Sequence, residues 1–268
     1  MSSGGERLIT VDDLEVTYGK VSALRGISFN VDQGDFVAII GPNGAGKSTL
    51  SDAMAGFVDY DGSLKYLGDE VRERMVASSM DIMRKKERTI GDRIGTLTDR
   101  YLTKGSRTMV RDGLIYCTEK RNLFGQMSVA KNLKLGTYQR KGNISQRMDF
   151  VYDLFPVLQE RQDQLAETLS GGEQQQLAIG RALMSNPRML LLDEPTLGLS
   201  PTVREDIADA LSQIQKDGVT VLLCEQNVTF AMDLADQIYL MENGLFARQG
   251  APETLRGDEY IQSVYLGE

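Results

Sequence analysis

The 268-residue chain contains no histidine. Without an imidazole there is no His zinc ligand, no Ser-His dyad and no side chain of that kind titrating near neutral pH. Any general base must be a carboxylate, an amine, a phenol or water. Cysteine is scarce: Cys117 and Cys224 sit in separate apolar runs, match no metal-ligand spacing and read as reduced core residues. No apolar run approaches the roughly 18 residues that span a bilayer. The N-terminal Met1-Ser-Ser-Gly-Gly-Glu-Arg7 has no hydrophobic signal core, so a cytoplasmic chain is expected. Positive charge is in deficit, with 30 Lys and Arg against 38 Asp and Glu, and the net −8 argues against broad nucleic-acid binding. The remaining composition, 41% apolar and 25% charged, is that of a globular chain long enough for one sizeable core with a subdomain.

What the chain does have is a phosphate cradle. Phe36-Val-Ala-Ile-Ile40 reads as a buried strand, and Gly41-Pro-Asn-Gly-Ala-Gly-Lys-Ser-Thr49 follows as a tight turn opening a helix to about Gly56. Gly41, Gly44 and Gly46 let backbone N–H groups converge, and the helix start adds its positive dipole end to the same point. The spacing GxxxxGK[ST] is met by Gly41, Gly46, Lys47 and Ser48. It gives Lys47 to the phosphates and the Ser48 hydroxyl to Mg²⁺.

Three more apolar runs end in polar groups. Leu114-Ile-Tyr-Cys-Thr118 delivers Glu119, Met189-Leu-Leu-Leu-Asp-Glu194 ends in paired carboxylates, and Thr220-Val-Leu-Leu-Cys224 delivers Glu225 and Gln226. The C-terminal edge of an open α/β sheet is where ligands sit. Asp193 there suits Mg²⁺ opposite Ser48, and Glu194 suits the attacking water. Ser170-Gly171-Gly172 at a predicted helix start is a second anion-binding arrangement, although Ser-Gly-Gly alone is also a common linker string. Residues 8–33 alternate and predict a small antiparallel sheet, rejoined by a hairpin over 62–71. Tyr18, at a strand end, reads equally as a purine-stacking aromatic and as an ordinary sheet tyrosine. Helices are expected from Ser128 to about Tyr138, over Met148 to Leu158, and from Ser170 to about Met184. Residues 72–107 are expected to be a charged excursion of one or two short helices, in which Arg84-Lys85-Lys86 reads first as a solvated face. Ile238–Met241 and Leu245–Ala247 predict a closing hairpin before a short C-terminal helix.

The ordered set GPNGAGKST, Glu119, Leu169-Ser-Gly-Gly-Glu173, LLLDEP and Gln226 resembles an ABC-type ATPase over nearly the whole chain. That resemblance implies an α/β P-loop fold: a RecA-like core, an antiparallel β-subdomain (1–35 and 62–71) and an inserted helical subdomain (120–168), within one domain of 1–268. It implies ATP and Mg²⁺ as cofactors. Tyr18 would stack on adenine, and Gly41, Pro42, Asn43, Gly44, Ala45, Gly46, Lys47, Ser48 and Thr49 would hold phosphates. Ser48, Glu119 and Asp193 would surround the metal, Glu194 would polarise water, and Gln226 would donate its amide to the γ-phosphate. Ser170, Gly171, Gly172 and Glu173 would meet ATP held by a second ATPase subunit. A narrower similarity, in Glu119-Lys-Arg-Asn-Leu-Phe124, Pro195-Thr-Leu-Gly-Leu-Ser-Pro201 and Glu225-Gln-Asn-Val228, is to ATPase subunits of branched-chain amino acid importers with Glu in the Q-loop and Gln at the switch-His position. It implies membrane permease subunits and a substrate-binding protein as partners, no nucleic acid, and a peripheral place on the cytoplasmic face of the membrane. The rivals are an importer ATPase for urea or another small solute, a non-transport ABC ATPase, and a stand-alone P-loop NTPase.

Overall fold

The computed structural model describes residues 6–72, 108–138 and 143–266. The helices expected within the 72–107 excursion, and its basic cluster, lie outside the described residues from position 73 onward. Period-two alternation builds the first sheet. Along β1 (Arg7–Tyr18), Leu14 and Val16 are buried while Glu15 and Thr17 face out. β1 pairs antiparallel with β2 (Val21–Asp32) on one edge and β4 (Asp61–Tyr66) on the other, and β5 (Asp69–Glu70) completes the order β2-β1-β4-β5.

Continuous apolar runs build the second sheet. β3 (Phe36–Ile40), β7 (Met189–Asp193) and β8 (Thr220–Glu225) are buried at every residue, as expected of parallel strands covered on both faces. With β6 (Leu114–Cys117), β9 (Gln237–Glu242) and β10 (Leu245–Gly250) they run in the order β10-β9-β3-β8-β7-β6, parallel except for the β9–β10 hairpin. Successive side chains of β3 serve two cores. Phe36, Ala38 and Ile40 face the helical side with Leu190, Leu192 and Leu223. Val37 and Ile39 face the antiparallel sheet with Val16, Leu24 and Leu50 of helix α1 (Lys47–Met54).

The helical block follows its caps. Ser128 caps α2 (Val129–Leu135), which stops at Gly136, short of the expected Tyr138. The helix expected over Met148–Leu158 starts earlier, at Asn143, whose side chain accepts from the Gln146 N–H. It breaks at Phe155 into α3 (Ile144–Leu154) and α4 (Pro156–Glu160), because Pro156 brings no N–H to continue the ladder. Asn132, fully buried, ties the preceding loop to α2 by accepting from the Phe124 N–H at 3.0 Å and donating to the Phe124 carbonyl at 3.0 Å. α5 (Gly171–Leu183) then leads into β7, and α6 (Pro201–Lys216) into β8.

Register decides what meets at the sheet edge. Ile40 lies opposite Glu225, and Asp193 opposite Cys224. The residues that follow β3, β7 and β8, namely Gly41, Glu194 and Gln226, therefore emerge side by side.

Candidate active site

The loop after β3 closes on Lys47, which is 4% exposed. Its ammonium donates to the carbonyls of Gly41 at 2.9 Å and Pro42 at 3.2 Å and pairs with Glu194 at 3.1 Å. Buried this deeply, an ammonium requires such partners. The loop is set by its glycines: a Cβ on Gly46 (φ +114°) would lie 2.8 Å from the Ala23 carbonyl oxygen. Between the loop and the neighbouring strand ends lies a cleft of about 320 Å³, lined by Ala23, Asn43, Gly44, Gly46, Lys47, Ser48, Thr49, Glu119, Glu194 and Leu197. Lys47, the loop N–H groups and the Glu119 and Glu194 carboxylates around one cleft suit a polyphosphate that arrives with its counter-cation.

Asp193 is buried and is not among the residues lining the cleft, but its carboxyl interacts with the lining residues Ser48, Lys47 and Glu194. Burial raises its carboxyl above the ordinary Asp value and the Glu194 charge adds to this, while the Ser48 and Tyr116 hydroxyls and Lys47 oppose it. Tyr116 donates to Asp193 Oδ2 at 3.2 Å, whereas Oδ1 is buried without a hydrogen-bond partner among the described residues. That orphaned oxygen fits a Mg²⁺ ligand. No group of three or more carboxylates among the described residues is placed to hold a metal alone. With Asp193 as a Mg²⁺ ligand, Tyr116→Phe is expected to raise the Mg²⁺ concentration needed for half-maximal activity by about tenfold, since orienting partners of metal ligands are worth about 10–100-fold in affinity. A Mg²⁺ titration at saturating nucleotide checks it, and an unshifted midpoint would count against this role.

Glu194 itself adopts φ +45°, strained for a residue without glycine's freedom. Its N–H donates to the Cys224 carbonyl at 2.8 Å. Glu119 is exposed and lines the same cleft as Ser48 and Glu194. Gln226 is exposed just past β8, and Tyr18 is 49% exposed at the tip of the β1–β2 hairpin. Neither is among the residues lining the cleft. Ser170, Gly171, Gly172 and Glu173 are not among them either. They open α5 with a capping box, in which Ser170 Oγ accepts from the Glu173 N–H and the Glu173 carboxylate accepts from the Ser170 N–H at 2.8 Å. Arg161 pairs with Glu173 at 3.1 Å. Such a start leaves the N–H groups of Gly171 and Gly172 without intrahelical acceptors.

Two residues to which sequence reasoning assigned no role contact the candidate site residues or the turns that carry them. Tyr116 orients Asp193, and its signal was a phenol inside an otherwise apolar four-residue strand. Glu225, 2% exposed, gathers donors from two loops, and its signal was a carboxylate closing an apolar run.

The ABC transporter family pattern matches residues 24–197, which include the loop, Glu119, the Ser170 helix start and the β7 carboxylates. The chain belongs to the ABC transporter family. ABC ATP-binding cassettes are ATPases, and this chain is an ABC ATPase. Among curated relatives, it is 37% identical to the high-affinity branched-chain amino acid transport ATP-binding protein BraG of Pseudomonas aeruginosa, over 97% of this chain and all of BraG. It is 29% identical to the lipopolysaccharide export system ATP-binding protein LptB of Haemophilus influenzae, over 97% of this chain and 98% of that one. Among solved structures, the ABC ATPase is similar to the dimeric post-hydrolysis state of the ATP-binding cassette MJ0796 bound to ADP and Pi. That likeness has a TM-score of 0.70 at 23% identity and covers 91% of this chain and 99% of that one, so it speaks for the fold. Among the described residues, no helix is long and apolar enough to cross a membrane.

Proposed function

We propose that this ABC ATPase is the ATP-hydrolysing subunit of an importer for branched-chain amino acids. It works as one of two ATPase subunits on the cytoplasmic side of a membrane permease fed by a substrate-binding protein. The observation that carries the reading is the cleft joining Lys47, Ser48, Glu119 and Glu194 in a chain that matches BraG over 97% of its length.

In this reading Lys47 exchanges the Gly41 and Pro42 carbonyls for phosphate oxygens, and the loop N–H groups from Asn43 to Thr49 hold the remainder. Tyr18 stacks on the adenine. Ser48, Glu119 and Asp193 hold Mg²⁺, which when bound neutralises phosphate charge. Glu194 orients the attacking water and accepts its proton, and Gln226 donates amide hydrogens to the γ-phosphate. Phosphoryl transfer leaves little covalent work to a protein, so the rate comes from positioning and charge. Ser170, Gly171, Gly172 and Glu173 complete the site of the second subunit. Two clefts would then close together, and closure would be the stroke passed to the permease.

LptB, a lipopolysaccharide export system ATP-binding protein, supports the rival, outward-acting reading. Proteoliposomes holding the complete complex discriminate between them. ATP-dependent uptake of labelled leucine supports the proposal. Uptake of urea but not leucine overturns the cargo, and extraction of lipid without any uptake overturns the direction.

A further inference from the structure

The last residue of β8 is a carboxylate with no part in the reaction outlined above. Glu225 Oε1 accepts from the Thr196 N–H at 3.0 Å and from the Thr196 hydroxyl. Its Oε2 accepts from the N–H groups of Gln226 at 2.9 Å and Asn227 at 3.1 Å. A buried carboxylate is unfavourable unless donors surround it. Here the donors come from two different turns, so one side chain fastens both.

The first of those turns carries Glu194 in its left-handed conformation, immediately before Pro195. A residue before proline is disfavoured in helical geometry, and a positive φ adds steric strain, so this backbone persists only where its surroundings over-determine it. The fastenings are visible. The Glu194 N–H donates to the Cys224 carbonyl at 2.8 Å, the Leu197 N–H donates to the Glu194 carbonyl at 3.2 Å, and Thr196 donates twice to Glu225. The second turn carries Gln226 and leads into α7 (Val228–Leu234), which Asn227 caps through the Phe230 N–H at 3.0 Å.

We propose that Glu225 is a positioning residue for hydrolysis, holding the strained Glu194 turn and the Gln226 turn in one fixed relation. The inference rests on the ATPase reading for the roles of Glu194 and Gln226. It adds that the two are not set independently. The attacking water and the γ-phosphate contact are aligned by one buried carboxylate that touches neither.

Glu225→Gln tests this while keeping the side chain's size. An amide presents hydrogens where one of the two donor pairs already points, so one turn is released. Steady-state hydrolysis is expected to lose about 10–100-fold in kcat, with the KM for ATP and the affinity for a fluorescent ATP analogue within about twofold of wild type. Glu225→Asp keeps the charge but is one methylene shorter, and an intermediate kcat is expected. Thr196→Val removes only the hydroxyl donor. It should lower kcat, Thr196→Ser should restore it, and adding Thr196→Val to Glu225→Gln should cost little more, because both cut the same connection. The threonine pair stands alone if Glu225→Gln proves poorly folded. An unchanged kcat in Glu225→Gln, a loss confined to KM, or Thr196→Val matching wild type would overturn the proposal. A wild-type chain that binds ATP without hydrolysing it would instead fail the ATPase reading, and with it this one.

Discussion

Glu194→Gln is expected to cut ATP hydrolysis by about 10²–10⁴-fold while nucleotide binding persists, the range lost when a positioned general base is removed. The substitution keeps the side chain's shape and removes its charge and its basicity. Lys47 is held by two loop carbonyls as well as by Glu194. The ammonium therefore stays in the loop when that ion pair is neutralised. Before nucleotide arrives, Glu194 competes with phosphate for the same ammonium at 3.1 Å. Removing that competition should leave ATP affinity equal to wild type or tighter. A variant that binds but does not hydrolyse should accumulate as an ATP-bound dimer, either with itself or only with a second homologous ATPase subunit. Single-turnover hydrolysis and sizing in ATP and Mg²⁺ measure both effects. A rate within tenfold of wild type would remove Glu194 from the role of base. A strictly monomeric chain that still hydrolyses ATP would point to a stand-alone NTPase.

The parts of this site that are legible in the sequence are those built from neighbouring residues. Phe36–Ile40 followed by GxxxxGK[ST] states a strand, a turn and a helix within one short window, and the structure has them there. The capping box at Ser170 is equally local, since Ser170 and Glu173 satisfy each other's N–H groups across one helical turn. Local rules also explain the one helix that broke early, because Pro156 can begin a helix but cannot continue the one ending at Leu154. What was not legible depends on register between strands far apart in the chain. Glu225 meets Thr196 only because Asp193 lies opposite Cys224, and Tyr116 meets Asp193 only because Cys117 lies opposite Leu192. The left-handed backbone of Glu194 was hidden for a different reason. Pro195 marks a turn but does not say which conformation the preceding residue takes, and that is settled by the Cys224 carbonyl from β8.

The largest effect on stability is expected from Gly41→Ala, at about 3–5 kcal/mol, the sum of a backbone overlap and a conformation that L side chains avoid. Gly41 has φ +155°, and a Cβ there would stand 2.1 Å from the Met241 carbonyl oxygen. That oxygen belongs to β9 and cannot swing aside like the end of a flexible chain. Relief requires either β9 to part from β3, where Ile40 lies opposite Leu240, or the phosphate loop to lift. The first loosens the buried sheet. The second moves the Gly41 and Pro42 carbonyls away from Lys47, so nucleotide affinity is expected to fall at least about tenfold as well. Gly44→Ala separates contact from conformation, because Gly44 has φ +80° but nothing within 4 Å of an added Cβ. Only the conformational part, about 1–2 kcal/mol, should appear there. Urea unfolding of both variants without nucleotide, read beside their ATP affinities, makes the comparison. Equal losses would mean that the carbonyl contact is relieved cheaply. A loss several-fold larger at Gly41 would place the rigidity of the cradle in the strand packed behind it, not in the loop's own turns. An out-of-plane adjustment confined to the loop would appear as weakened ATP binding with little change in the urea midpoint.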